Sequence, residues 1–169
     1  MEYLVIDGYN VINAWSDLFD PSADSLEDCR LKLLDILSNY QGYKKNNIVV
    51  VFDAHLVKGS QEKKENYDNL TVIYTKENET ADNYIEKFVY NLGNIHTIRV
   101  VTADYLEQTM ILRKGGIRVL PRELRSELRQ AGNNLKVNIT NAGAKDNTIM
   151  SNLKPELLEK LEKMRRSKF

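Results

Sequence analysis

At 169 residues with 42% hydrophobic composition, the chain carries enough apolar surface for one contiguous core, so a single domain over 1–169 is expected. Its single cysteine, Cys29, excludes an intrachain disulfide framework. A net charge of zero excludes a uniformly basic nucleic-acid binder, but the charge is polarised: residues 113–129 hold six bases against two acids, a net of +4, and 153–169 hold six against three, a net of +3. An acidic metal site flanked by a phosphate-binding surface has this layout, and so do ordinary solvated helix faces. The start, Met1-Glu2-Tyr3-Leu4-Val5-Ile6-Asp7, has an acid and a short apolar run where a secretory signal needs bases and a long one. No run is long enough to span a bilayer. A cytoplasmic location with no membrane partner is expected.

In chain order, Tyr3-Leu4-Val5-Ile6 is an apolar run stopped by Asp7-Gly8 and predicts a buried parallel strand. Leu26, Cys29, Leu33, Leu34 and Leu37 recur at three and four and predict a helix. Asn47 to Phe52, stopped by Asp53, completes a βαβ unit. His55 to Asn69 is a polar, Lys- and Glu-rich stretch that reads as a loop. A strand at 70–74, a helix at 81–92 with Ile85, Phe88, Val89 and Leu92 on one face, and a strand at 97–101 repeat the alternation. A helix over 105–113 ends at Gly115-Gly116, and a short strand at 117–120 precedes a helix opened by Pro121. Residues 133–152 lack periodicity. A basic C-terminal helix is expected from about 153, with Leu157, Leu158, Leu161 and Met164 on one side. Strands alternating with helices imply a mainly parallel sheet covered on both faces.

Four acids fall at equivalent places: Asp7 and Asp53 end strands, Asp82 opens a helix, and Asp104 follows the strand ending at Val101. Ligands of parallel sheets bind outside the carboxyl ends of the strands, so these acids share one crevice. Carboxylates gathered there either raise one another's pKa or bind a cation, and Mg2+ or Mn2+ suits oxygen ligands. Glu86, at i+4 from Asp82, is placed to join them. Each acid taken singly also fits a cap or a turn, Asp104 with Glu107 above all. His96 reads as structural, and His55 beside Asp53 as a residue within reach of substrate. Other acid-rich sites fail on the residues present: Tyr9 stands where an aspartate phosphatase needs a second acid, and neither a dinucleotide fingerprint nor a P-loop appears. A Ser-His-Asp hydrolase lacks its nucleophile elbow.

Asp7-Gly8-Tyr9-Asn10-Val11-Ile12-Asn13, Val51-Phe52-Asp53-Ala54, Glu79-Thr80-Ala81-Asp82-Asn83-Tyr84-Ile85-Glu86 and Val101-Thr102-Ala103-Asp104-Tyr105-Leu106-Glu107-Gln108 resemble the successive motifs of the YacP-like NYN family. The resemblance implies a PIN-like three-layer α/β/α sandwich and metal-dependent endoribonuclease activity. It further implies messenger RNA as substrate and the ribosome as partner, since a characterised branch cuts messenger RNA in the ribosomal A site. The family's acids map onto Asp7, Asp82 and Asp104, with Asp53 and Glu86 as further metal candidates. A serine common in the last motif is Ala103 here, which leaves Thr102 as the neighbouring hydroxyl. Asn10 is a candidate for orienting water or a phosphate oxygen, and equally for capping a turn. Arg113, Lys114, Arg118, Arg122, Arg125 and Arg129, with Lys160, Lys163 and Arg166 in the tail, are assigned to RNA or ribosome docking. A non-catalytic RNA or ribosome adaptor and a structure-specific DNA nuclease are the alternatives.

Overall fold

In the computed structural model, residues 1–55 and 58–135 are described. Met1–Leu128 form one compact unit and Arg129–Phe169 a second, of which 129–135 are described and helical. The first unit is built on six strands in the order β3-β4-β2-β1-β5-β6. These are β1 (Glu2–Asp7), β2 (Asn47–Phe52), β3 (Lys63–Tyr67), β4 (Leu70–Tyr74), β5 (Thr97–Val101) and β6 (Ile117–Val119). All pairs are parallel except β3 with β4. The helices are α1 (Gly8–Ala14), α2 (Leu26–Lys44), α3 (Ala81–Leu92) and α4 (Tyr105–Arg113), followed by α5 from 121.

Strand alternation divides the core in two. Val5, Val49, Val51, Ile73, Ile98 and Val100 face α3 and pack on its Ile85 and Val89, with Ile111 of α4 joining them. Leu4, Ile6, Ile48, Val50 and Val72 are also fully or almost fully buried, but alternate onto the opposite face, where α1 and α2 pack. α5 joins that face: Trp15 Nε1 donates to the Pro121 carbonyl at 3.0 Å, and Tyr40 of α2 donates to Glu127 at 2.8 Å. The result is a three-layer α/β/α arrangement. Continuous apolar strands buried on both faces are what parallel sheets require.

Two elements depart from the expectation. The stretch read as a loop over 55–69 contains β3, an antiparallel edge strand of sequence KKENY whose charges face water and blunt an exposed edge. It returns to β4 through a two-residue turn at Asp68 and Asn69, with Asp68 in the left-handed region at φ 54°. And Asp7-Gly8 opens the short helix α1. The basic helix expected from about 153, with Lys160, Lys163 and Arg166, lies outside the described residues. No described helix is long and apolar enough to cross a membrane.

Between β1 and α1 the chain passes directly under the Phe52 ring. A Cβ at Gly8 would lie 2.3 Å from Phe52 Cε1, and that ring is held between Tyr9 and Tyr74. Gly8→Ala is therefore expected to lower stability by about 1–3 kcal/mol, the usual cost of overpacking, measured as a reduced urea midpoint with an unchanged slope. An unaltered midpoint would show that the ring has room to move.

Candidate metal centre

β1 is the strand from which the sheet grows both ways: the chain builds outward to β2, β4 and β3 on one side, then returns to add β5 and β6 on the other. Crevices open at such switch points, beyond the carboxyl ends of the strands. Asp7 is the last residue of β1 and shares the α3-facing side with Val5. α3 begins above the same edge, with Thr80 as its N-cap and Asp82 in its first turn. α4 begins there too, capped by Asp104.

Three carboxylates converge. Oxygens of Asp7, Asp82 and Glu107 all lie within 4.8 Å of one another. Asp7 and Glu107 are 8% and 3% exposed, and Asp82 is half-buried. Neither oxygen of Glu107 has a well-formed hydrogen bond among the described residues, although buried polar atoms are nearly always satisfied. Two oxygens on one Mg2+ at about 2.1 Å lie up to about 4.2 Å apart, so small side-chain rotations close this triangle on a single hard cation. The oxygen-only donor set and the burial fit such an ion.

The electrostatics agree. Burial pushes the Asp7 carboxyl up to about 6; the Asn10 N–H opposes this and the charges of Asp82, Asp53 and Asp104 add to it. Burial likewise pushes Glu107 up to about 8, with the nearby Thr102 hydroxyl acting in the opposite sense and Asp82, Asp7 and Asp104 reinforcing the rise. Asp82 is raised by burial and by Asp104, with a hydrogen bond shared with Glu107 acting in the opposite sense and Asp53 adding to the rise.

Asp53 is differently placed. Its burial is outweighed by bonds from the His55 ring, the His55 N–H and the Ala81 N–H, so its carboxyl sits below the ordinary value. The 3.2 Å bond from Ala81 N ties the end of β2 to the start of α3. Asp104 is exposed, and one of its oxygens accepts from Leu106 N and Glu107 N. It acts on the three carboxylates through its charge. Asn10 bridges two elements: its N–H donates to Asp7 at 3.2 Å and its Oδ1 accepts from Ala103 N at 2.7 Å, joining α1 to the loop that carries Asp104. Glu86 is turned toward α4, where it meets Lys114 at 3.9 Å. His96 packs on the Tyr3 ring at the far edge of the sheet.

A family model for the YacP-like NYN domain matches residues 4–166. The chain belongs to the YacP-like NYN family. Over 167 residues it is 42% identical to the uncharacterized protein YacP of Bacillus subtilis, covering 98% of both chains. It is similar to the crystal structure of Rae1 (YacP) from Bacillus subtilis, with TM-score 0.71 and 41% identity over 99% of this chain and 96% of that one. A crystal structure of a Rae1 point mutant matches with TM-score 0.69 and 37% identity, covering 90% and 85%. The NYN domain is one of the PIN-like nuclease folds, so the family is nuclease-like.

Among the carboxylates of this NYN domain, Glu107 is the one that sequence reasoning passed over. Its spacing from Asp104 is that of a capping box, which supplied a sufficient reason for an acid there. The signal that marks it is helical: Glu107 and Ile111 stand four apart on the buried face of α4.

Because burial raises Asp7 and Glu107, the folded protein holds protons that the unfolded chain has released. That contribution to stability is complete below the ordinary carboxylate range and is lost as pH rises through about 6 and then about 8. In a chelator, the melting temperature is expected to fall across this window, Mg2+ to reverse the fall, and Glu107→Gln to remove its upper part. A melting temperature that climbs with pH in chelator would contradict the assignment.

Proposed function

We propose that this protein is a metal-dependent endoribonuclease that hydrolyses RNA phosphodiester bonds, with messenger RNA on the translating ribosome as its target. The observation that carries the reading is the convergence of the buried Glu107 carboxylate with those of Asp7 and Asp82, one oxygen of each lying within 4.8 Å of the others. When bound, Mg2+ or Mn2+ supplies an activated water and neutralises charge at the phosphate. Asp7, Asp82 and Glu107 hold the cation, and their burial keeps the site dry enough for charge to act strongly. Asp104, at the exposed rim, faces the incoming strand and contributes through its negative charge. Asn10 fixes the distance between Asp7 and the Asp104 loop. Asp53 fixes the start of α3 and so the position of Asp82.

Asp7→Asn, Asp82→Asn and Glu107→Gln are each expected to cut cleavage on the order of a hundredfold or more, since each weakens a cation that supplies several kcal/mol of transition-state stabilisation. The same proteins should keep their circular dichroism. The direct test incubates the purified protein with a translated messenger, with and without ribosomes and Mg2+, and with a DNA strand of matched sequence. Binding that persists in chelator with no cutting under any condition would make the protein an adaptor, and preferential cutting of DNA would make it a DNA nuclease.

Exposed bases among residues 113–129 support docking of a polyanion, although not all of the expected residues are placed for it. Arg113 and Arg122 are exposed. Arg118 is exposed while donating to Gln108 at 3.1 Å, and Lys114 lies 5.0 Å from the Tyr90 ring centroid. Arg125 is committed elsewhere: it pairs with Asp17 at 3.1 Å and lies over the Trp15 ring, so reversing it would perturb packing. Arg129 falls in the second unit. Arg113→Glu with Arg122→Glu should weaken RNA association and reduce the slope of log affinity against log salt by about 0.7 for each phosphate that is no longer neutralised. Parallel salt dependence for variant and parent would make these residues plain solvated surface.

A further inference from the structure

Three arginines are partly buried among the described residues, and two of them are paired: Arg99 with Glu127 and Arg125 with Asp17. The third, Arg30 near the start of α2, has no carboxylate partner there. Its Nη1 donates to the Tyr9 hydroxyl at 2.8 Å, and its guanidinium lies over the Tyr74 ring, 5.9 Å from the centroid. Its Nε and Nη2 make no hydrogen bond among the described residues and are not buried, so they open to water. Glu27 acts on Arg30 through its charge without forming an ion pair, and Glu65, close to Tyr74, is taken by Lys63. A planar fork of donors suited to a phosphate is thus held in place with part of it unused. It stands at the edge that carries the metal centre: Tyr9 follows Asp7 by two residues, and Tyr74 ends β4. β4 is two strands from β1, about 10 Å at the usual spacing. Ile73 faces α3 as Val5 does, so Tyr74 alternates to the α2 side while Asp7 lies on the α3 side. Arg30 and the three carboxylates flank the same strand ends from the two sides.

We propose that Arg30, together with the Tyr9 hydroxyl, clamps one backbone phosphate of the RNA strand beside the cleavage site, on the β4 side of the metal centre. The proposal rests on the nuclease reading above and adds a substrate-binding residue to it. Tyr9 accepts from Arg30 and keeps its own hydroxyl proton to donate, so both side chains offer donors to one phosphate oxygen or to neighbouring ones. The fork is fixed before any strand arrives: Tyr74 stacks on Phe52, Phe52 packs on Tyr9, and Tyr9 holds Nη1. An arginine ordered in advance loses little freedom when it binds, which leaves more of the contact as affinity. Such a contact reads no base. It sets the register of the strand instead, because a phosphate held over β4 determines which backbone bond lies over Asp7, Asp82 and Glu107.

The test replaces the phosphates of a short single-stranded RNA one at a time by neutral methylphosphonate and measures binding in chelator. Arg30→Gln, which removes the charge and keeps an N–H, should bind the unmodified strand roughly tenfold more weakly, the worth of one hydrogen bond to a charged group. At one position the unaltered protein should lose the same factor on replacement and Arg30→Gln should lose nothing further, while all other positions respond alike in both. Tyr9→Phe should reduce the loss at that position only. An Arg30 that merely braces α2 would lower the melting temperature and leave the pattern of losses unchanged. That outcome, or the absence of any sensitive phosphate in the unaltered protein, overturns the clamp. If Arg30→Gln does not fold, Arg30→Lys carries the test: it keeps the charge without the fork, so the loss at that position should become intermediate, and a full loss overturns the proposal. Repeating the series in Mg2+ separates the two readings. An Arg30-dependent phosphate on a strand that is never cut supports the clamp and sinks only the nuclease reading, whereas cutting with no Arg30-dependent phosphate sinks only the clamp.

Discussion

The constraint on which this structure depends is the gathering of like charges out of water at the end of its central strand. Asp7 could have been solvated at an edge strand, but β1 lies between β2 and β5, beneath α3 and beside α4. Burial there raises its proton affinity, and Glu107 enters the same space from α4 with even less exposure. Repulsion among these groups costs stability unless protons or a cation intervene. Acids placed where they are least comfortable without a cation are the pattern expected where carboxylates serve chemistry.

The arrangement persists because each carboxylate is mounted on a different element and the elements are pinned to one another near the site. Asn10 spans α1 and the loop after β5. Asp53 spans β2 and α3. Gln108 donates to the Thr102 carbonyl at 2.9 Å, fixing α4 to the end of β5. Beneath them, Phe52 packs between Tyr9 and Tyr74, and Arg30 donates to the Tyr9 hydroxyl at 2.8 Å while lying over the Tyr74 ring. Such cross-bracing fixes the three carboxylates relative to one another, as holding a cation between them would require.

The parts of this architecture that could be read from sequence are those whose burial is two-sided or strictly periodic. The strands at 47–52, 70–74 and 97–101 and the helices at 81–92 and 105–113 have the bounds their apolar patterns predict, because each is held by core contacts that only those residues can make. β3 was illegible because an edge strand with both faces wet has no hydrophobic alternation to show; the Asp68-Asn69 turn was its one local sign. α1 was illegible because its seven residues bury only two apolar side chains, Val11 and Ile12, beside Gly8, behind a segment that reads as a turn. Within the site, Asp7 and Asp82 were visible from their positions at strand and helix ends. Glu86 was misplaced by a rotation of some 40° around α3, enough to carry it toward Lys114. Glu107 was hidden by a spacing that already had a simpler explanation.

The central claim is that Asp7, Asp82 and Glu107 hold one divalent cation. The most direct measurement is an anomalous difference map from a crystal of the protein soaked in Mn2+. A single strong peak at bonding distance from oxygens of all three carboxylates is the expected result. A peak coordinated by Asp53 and Asp104 without Glu107, or no peak in the crevice at a saturating concentration, would contradict it.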